Sequence, residues 1–339
     1  MDNLQNINSP EELGGLLKSC LESQQHDLQV KCPESFLYTQ AIENLLKSRP
    51  KGNRVWWTYD AENGILKVSI VSRPLHDATT SLAFDFMAHA QDGQFIPSDL
   101  HQRLVLSRRG FIMTLPPAPE TRSNKAHAWI KYPDVSIVLR ASQRIPVVVF
   151  ETGFTEDAID LESDAIQWLL RSDGQVQLVI AIEIREDTRT RDILRKEPPA
   201  TRRLLQLIRS FGTDALKESY GISTSDDDPS DSDPELYKSI RKMITVTDWV
   251  GPISVVMTLW ELCGTTPVVR EKLVVLPRPE SPQNPSVKIT DLFPTDFQPL
   301  IEDFNPNLVK EIDLEYYREL LSDATEDHAF ERAVKFLRS

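Results

Sequence analysis

The chain has 339 residues, of which 40% are hydrophobic, and its net charge at neutral pH is −13. This apolar content is enough for a substantial core, which excludes a disordered protein, and the length favours one large domain or two smaller ones. The negative charge opposes non-specific binding to nucleic acid, although a local basic patch could still bind phosphate.

The cysteines and the N-terminal sequence bear on the compartment. Cys20, Cys32 and Cys263 have no CxxC spacing, which predicts neither a zinc site nor a disulfide framework and fits a reducing environment. The first residues lack the basic and then apolar pattern of a signal peptide, and no apolar run reaches the roughly 18 residues of a membrane span. We therefore expect an intracellular protein, cytoplasmic or nuclear, that does not associate with a membrane.

The first 50 residues are predicted to be helical. The segment that begins at Ser9 reads Ser-Pro-Glu-Glu, which is typical of a helix start. Apolar residues recur with helical period from Ser35 to Ser48 and stop before a proline. We interpret residues 1–50 as an N-terminal helical segment.

A pattern of strands and helices follows between residues 51 and 275. Helices are predicted at 75–90 and 156–171, the second with its apolar residues on one face. Strands are predicted at 55–59, 65–71, 128–132, 135–139, 146–151, 176–184 and 253–262, and an Asn-Gly hairpin signal joins the first two. Strands that alternate with a crossover helix predict an α/β fold built on an α+β mixed sheet.

Residues 221–235 form an acidic stretch of low complexity, rich in Asp, Ser and Pro. Such a composition cannot bury enough apolar surface to offset chain ordering, so we predict a solvated, disordered insert. The acids that follow Ser225 and Ser230 leave a phosphorylation-dependent switch open as the alternative. From residue 276 onwards we predict a C-terminal extension that ends in a helix at Leu314–Leu337.

Two carboxylates stand at the ends of predicted strands. Asp134 follows Lys131-Tyr-Pro and precedes one strand, while Glu151 directly follows the apolar run that begins at Val147. If these strands pair, both carboxylates meet at one edge, where hard oxygen ligands suit Mg²⁺ or Mn²⁺. A cation there would activate a water and stabilise charge on a phosphodiester. The structural alternatives are a backbone hydrogen bond for Asp134 and an exposed strand end for Glu151.

The order of these motifs resembles the PD-(D/E)XK nuclease superfamily, in particular its Uma2-like and fungal restriction-endonuclease-like branch. The resemblance covers Arg54 to Leu262 and rests on Tyr-Pro-Asp134-Val-Ser, Val-Val-Phe-Glu151-Thr-Gly, Asp164-Ala-Ile-Gln-Trp and Gly174-Gln-Val-Gln-Leu-Val-Ile. It implies a restriction-endonuclease-like core over residues 51–275 and a metal-dependent nuclease, a hydrolase. It also implies that Asp134 and Glu151 bind Mg²⁺ or Mn²⁺.

The catalytic lysine of that superfamily is missing from its usual position. Gly153 stands two residues after Glu151, and if Asp160 is the aspartate that precedes the lysine on the helix of the Uma2-like branch, Asp164 stands at the lysine position. An aspartate cannot supply a positive charge, so Asp164 could act as a further metal ligand. Lys131 could replace the lysine, or it could be a solvated surface residue. An inactive nuclease-fold protein that serves as a protein-interaction module is therefore the second hypothesis.

Other features of the sequence give less specific indications. The six histidines are dispersed, and no P-loop, GxSxG or GxGxxG motif occurs. His76, at a predicted helix start, is interpreted as a capping or packing residue. The basic segment from Arg185 to Arg209 could face nucleic-acid phosphate, or it could be a solvated amphipathic surface. The expected partners are therefore a nucleic acid or another protein.

Overall fold

The computed structural model describes most of the chain between residues 4 and 338. The described residues are 4–23, 27–39, 42, 45, 54–60, 63–71, 73–93, 95–108, 111–115, 127–140, 144–154, 158–211, 234–301 and 304–338. Within these ranges, none of the helices has the length and apolar character that crossing a membrane requires.

The fold is mixed α/β, as the sequence predicts. In the described ranges the α-helices are α1 (Pro10–Ser23), α2 (Arg73–Asp92), α3 (Ala158–Arg171), α4 (Thr188–Leu194), α5 (Pro198–Phe211), α6 (Pro234–Met243), α7 (Ile289–Leu292) and α8 (Leu314–Arg338). The strands are β1 (Gln5–Asn6), β2 (Asp27–Lys31), β3 (Arg54–Asp60), β4 (Ile65–Val71), β5 (Leu104–Ser107), β6 (Phe111–Leu115), β7 (His127–Lys131), β8 (Val135–Arg140), β9 (Arg144–Phe154), β10 (Leu178–Glu186), β11 (Ile253–Cys263), β12 (Thr266–Leu276), β13 (Ser286–Lys288) and β14 (Val309–Glu311).

The first sheet combines N-terminal strands with strands from the middle of the chain. Its order is β1–β2–β4–β3–β7–β6, and its neighbours are antiparallel except for β1 and β2. Helix α1 packs on it through Leu13 and Leu17, beside Val30 of β2 and Leu66 of β4. The sheet therefore crosses the division that the sequence places at residue 50.

The prediction that residues 1–50 are wholly helical is wrong at Asp27–Lys31, which form strand β2. This short segment alternates polar and apolar residues, which suits a half-buried strand, and Leu28 and Val30 pair with Val68 and Leu66 of β4. A five-residue strand depends on such a partner, and the partner lies far away in sequence. Of the predicted helix from Ser35 to Ser48, the structure describes 35–39, 42 and 45, and its first residues belong to a short 3-10 helix at Glu34–Tyr38.

The second sheet contains the carboxylates that the sequence singles out. Its order is β12–β11–β10–β9–β8–β5, with β9 and β10 parallel and the other neighbours antiparallel. Helix α3 connects β9 to β10, so the chain crosses over one face of the sheet. Between β5 and β8 the chain leaves this sheet to add β6 and β7 to the first sheet.

Helices cover both faces of the second sheet, which explains the continuous apolar runs of its central strands. On one face, Val149 of β9 and Val179 of β10 pack against Leu161 and Trp168 of α3. On the other face, alternate residues such as Phe150 belong to the core that includes α2 and α8. This arrangement fixes which side chains of β9 point towards each helix.

The C-terminal residues belong to the core of the protein. Helix α8 confirms the predicted terminal helix, and its residues Leu314, Tyr317 and Leu321 are buried against α2 and the second sheet. Near the end of α8, Arg332 donates two hydrogen bonds of 2.7 Å to the carboxylate of Glu186, at the end of β10. The extension is therefore tied to the sheet by both apolar and charged contacts.

The acidic stretch 221–235 lies mostly outside the described residues. Its last two residues, Pro234 and Glu235, begin helix α6, so the prediction of a disordered insert is wrong for them. Proline at the first helical position and an acid in the first turn favour such a start.

Candidate functional site

Neighbouring strands place Asp134 and Glu151 side by side at one end of the second sheet. Strands β8 and β9 are antiparallel, with Val135 opposite Phe150, so the residue before β8 lies beside the residue after Phe150. Strand β9 continues past the apolar run to Phe154, and both Glu151 and Thr152 are buried. The two acids that the sequence singles out therefore lie beside each other, Asp134 directly before β8 and Glu151 within β9.

Each carboxylate is held by a different helix. Asp134 Oδ1 lies 2.9 Å from Nδ1 of His76 on α2, and Oδ2 accepts a 2.7 Å hydrogen bond from the backbone amide of Thr152. A backbone amide of a strand points towards the neighbouring strand, so this bond holds the Asp134 carboxylate beside β9, at the point where β8 begins. Glu151 Oε1 instead accepts a hydrogen bond from the indole Nε1 of Trp168 on α3.

A buried lysine lies beside these acids. Lys131 Nζ is 2.7 Å from Asp164 Oδ1 and 4.0 Å from Glu151 Oε1, and only 2% of the lysine side chain is exposed. The interpretation of Lys131 as a solvated surface residue is therefore wrong. Its ammonium also lies 5.8 Å from the centre of the Trp168 ring. Such partners are needed, because desolvation strongly disfavours an unpaired ammonium.

The two aspartates at the start of α3 both contact lysines of the first sheet. Asp164 pairs with Lys131, the last residue of β7, and Asp160 pairs with Lys67 of β4 at 3.5 Å. These acids are four residues apart and therefore lie on one side of the helix. The contacts show that Asp164 faces the first sheet, with the lysine between it and Glu151.

Electrostatics at Glu151 are dominated by burial and by neighbouring charges. Burial raises the pKa of Glu151 well above its ordinary value, and the Lys131 charge opposes this rise. The charges of Asp134 and Asp164 raise the pKa further, while the hydrogen bond from Trp168 lowers it. Burial and the two neighbouring aspartates together therefore favour the protonated form of Glu151, against the effects of Lys131 and Trp168.

Carboxylate oxygens are ligands that Mg²⁺ prefers, but Asp134 contacts α2 and Glu151 contacts α3, and these helices cover opposite faces of the sheet. Within the described ranges, no three His, Cys, Asp or Glu side chains are already arranged as a metal-binding group. Mg²⁺ nevertheless binds through one or two carboxylates and keeps several waters. A cation between Asp134 and Glu151 would offset the repulsion that their charges exert on each other.

His76 and Trp168 contribute to the site although the sequence did not single them out for it. His76 was interpreted as a capping or packing residue, and its contact with Asp134 spans 58 positions. Its Nε2 is buried and has no hydrogen-bonding partner among the described residues. For Trp168 a signal existed, because it follows Asp164 by four residues and therefore lies on the same face of α3.

The basic segment from Arg185 to Arg209 uses much of its charge within the protein. Its internal contacts join Arg185 to Glu183, Arg191 to Glu186, Arg203 to Asp248 and Arg195 to the ring of Trp249. Arg189, Lys196, Arg202 and Arg209 are exposed. The segment thus offers less positive charge to a phosphate backbone than its composition suggests.

Comparisons of the chain with protein-family models, with curated proteins and with solved structures find no match. They identify no family, so the function has to be inferred from the residues and the geometry described above.

Proposed function

We propose that this protein is a metal-dependent phosphodiester hydrolase of the PD-(D/E)XK nuclease type, with its catalytic lysine supplied by β7. The observation that carries the proposal is the position of Lys131, 4.0 Å from Glu151 and 2.7 Å from Asp164. The superfamily pattern requires a cation beside the acid pair, and neither Gly153 nor Asp164 can provide one. A lysine from a preceding strand brings that charge to the same carboxylate.

The layout around the acids supports the same function. Asp134 directly precedes β8 and Glu151 lies within the paired strand β9, and α3 follows β9 and leads into the parallel strand β10. This is the order of strand, strand, helix and strand on which the resemblance rests. The buried faces of β9 also keep the site on a rigid element, as accurate positioning of catalytic groups requires.

Asp134 and Glu151 are the residues that would hold Mg²⁺ or Mn²⁺. A divalent cation, when bound, lowers the pKa of a water and stabilises negative charge on a phosphoryl oxygen. His76 and the amide of Thr152 orient the Asp134 carboxylate, and the Trp168 indole orients that of Glu151. These contacts preorganise the two anionic groups before a substrate arrives.

Lys131 supplies positive charge at the same place. Its side chain is almost fully buried, so its field is screened less than that of a surface lysine. Its ion pair with Asp164 fixes the ammonium near Glu151. From there it can stabilise an attacking hydroxide or the charge that develops on the phosphoryl group.

An inactive nuclease-fold protein that binds another protein is the second candidate, and burial favours it. The side chains of His76 and Asp134 are each 5% exposed, and that of Lys131 is 2% exposed. A network so well enclosed also suits a structural role, in which ion pairs hold the two sheets and their helices together.

A nuclease assay of the full-length protein separates the two candidates. Single-stranded DNA, double-stranded DNA and RNA are incubated with Mg²⁺ or Mn²⁺, and Glu151→Gln is compared with the control Glu162→Gln on the exposed side of α3. The proposal expects cleavage that needs the cation, is lost in Glu151→Gln and persists in Glu162→Gln. Cleavage in the presence of chelator, or in Glu151→Gln, would refute it. The absence of both cleavage and cation binding in the wild type would favour the interaction module.

A further inference from the structure

Three buried hydroxyl groups connect the candidate site to the C-terminal helix α8. Thr152 Oγ1 donates a 2.8 Å hydrogen bond to Thr79 Oγ1 on α2, and Thr79 Oγ1 lies 3.1 Å from the phenolic oxygen of Tyr317 on α8. Thr79 and Tyr317 are fully buried, and Thr152 is 6% exposed. We call Thr152, Thr79 and Tyr317 the hydroxyl chain.

One end of the hydroxyl chain is joined directly to both carboxylates of the site. Thr152 is the residue after Glu151, and its amide donates the 2.7 Å hydrogen bond to Asp134 Oδ2. Successive side chains of a strand point to opposite faces, so Thr152 points towards α2 while Glu151 points towards α3. A displacement of the Thr152 backbone therefore moves the Glu151 side chain and the donor to Asp134 together.

Each hydroxyl group of the chain can act as the hydrogen-bonding partner of the next. Each hydroxyl group has a single hydrogen to donate, and Thr79 Oγ1 accepts the hydrogen of Thr152. The bond between Thr79 and Tyr317 then uses the hydrogen of one partner and a lone pair of the other. Water does not reach these atoms, so loss of one hydroxyl leaves its neighbour without a substitute.

We propose that Tyr317 and Thr79 are positioning residues, which hold Thr152 and, through it, Asp134 and Glu151 in their observed arrangement. The helix that ends the chain thereby controls the geometry of a site built from residues more than 150 positions earlier. The expected effect on catalysis rests on the proposed function, whereas the effect on the position of Thr152 rests on the hydrogen bonds alone.

Four variants of the full-length protein test the hydroxyl chain. Tyr317→Phe and Thr79→Val each remove one hydroxyl with little change of shape, and Thr79→Ser keeps the hydroxyl. Tyr316→Phe is the matched control, because it removes a hydroxyl from the neighbouring, half-buried residue of the same helix. The readout is the Thr152 amide in protein labelled with ¹⁵N-threonine, identified by its absence in Thr152→Ser.

The proposal expects the Thr152 amide resonance to shift, and its hydrogen exchange to accelerate about five- to tenfold, in Tyr317→Phe and Thr79→Val. Thr79→Ser and Tyr316→Phe should retain the wild-type resonance and exchange rate. An unchanged Thr152 amide in both Tyr317→Phe and Thr79→Val would overturn the proposal, and so would an equal change in Tyr316→Phe.

Cleavage kinetics provide the second readout. In the active enzyme, kcat should fall about tenfold or more in Tyr317→Phe and Thr79→Val at nearly constant KM, because misplaced groups slow the chemical step. Thr79→Ser should restore kcat. Wild-type kcat in Tyr317→Phe would overturn the positioning role. If the wild type cleaves no substrate, the proposed function fails, and the Thr152 amide alone decides whether the hydroxyl chain positions the site.

Discussion

Lys131 Nζ lies 2.7 Å from Asp164 Oδ1, in an ion pair that joins the last residue of a strand in the first sheet to the helix that covers the second. The same ammonium lies 4.0 Å from Oε1 of the buried Glu151. Asp164, which stands where the proposed nuclease pattern would carry a lysine, thus binds a lysine from another strand.

The stability of Lys131→Met is expected to be lower than that of the wild type by about 1–3 kcal/mol. Methionine fills the same volume, but it leaves Asp164 and Glu151 without their shared cation. Denaturant unfolding at neutral pH measures the loss. The control is Lys67→Met, which removes the partly exposed partner of Asp160 and should cost less than about 1 kcal/mol. Equal losses in the two variants would show that burial of Lys131 has no energetic consequence.

Asp164→Lys is expected to destabilise the protein and to reduce activity. From the superfamily pattern alone, this change would restore a missing cation. In the structure it places a second ammonium against Lys131, and the two like charges repel each other in a poorly solvated place. Thermal unfolding and cleavage rates check this expectation, with Asp164→Asn as the variant that removes the charge alone. A rise in cleavage in Asp164→Lys would mean that Lys131 is not the catalytic cation.

Stability should depend on pH through Glu151. Burial raises its folded-state pKa well above the ordinary value of 4.5, so the folded state binds more protons than the unfolded state above that pH. The free energy of unfolding therefore falls as the pH rises from about 4.5, and the decrease ends once the pH exceeds the folded-state pKa of Glu151.

Glu151→Gln removes the ionisable group and with it this pH-dependent loss of stability. Its melting temperature relative to that of the wild type should increase as the pH is raised from 4.5 to 8, whereas Glu162→Gln on the same helix as Trp168 should show no such trend. A difference between Glu151→Gln and the wild type that stays constant over this range would contradict the raised pKa.

Trp168→Phe is expected to lower stability by about 2 kcal/mol, because Glu151 loses its indole donor and the core loses part of a ring. The hydrogen bond favours the charged form of Glu151, so the loss should be larger at pH 8 than at pH 5. Trp260→Phe, in the same apolar cluster, is the control for packing and should show the same loss at both pH values. A pH-independent loss in Trp168→Phe would assign the tryptophan to packing alone.

The central strands of the second sheet could be predicted from the sequence because an apolar core covers both of their faces. Val147 to Phe150 form an unbroken apolar run, and β9 is indeed covered by helices on both faces. The acid that ends this run is therefore visible as a site residue without knowledge of its neighbours. Helix α3 could be predicted for a similar reason, since its buried residues recur with helical period.

The surroundings of Lys131 could not be predicted in this way. They depend on the pairing of β7 with β3 and β6 in the first sheet, although Asp134, three residues later, leads into the second sheet. The local sequence predicts separate strands at 128–132 and 135–139, but it does not indicate that they belong to different sheets. The contact of His76 with Asp134 could not be predicted for the same reason, because the two residues are 58 positions apart.

The cleavage rate of Lys131→Met, measured beside the wild type at saturating Mn²⁺ under single-turnover conditions, tests the nuclease proposal most directly. The wild type should cleave a phosphodiester substrate only when the cation is present. Lys131→Met should be slower by about 100-fold or more while it still binds Mn²⁺, because the variant retains both carboxylates and loses only the positive charge. Cleavage by Lys131→Met at the wild-type rate, or cleavage by the wild type in chelator, would contradict the assignment of Lys131 and the acid pair as the catalytic centre.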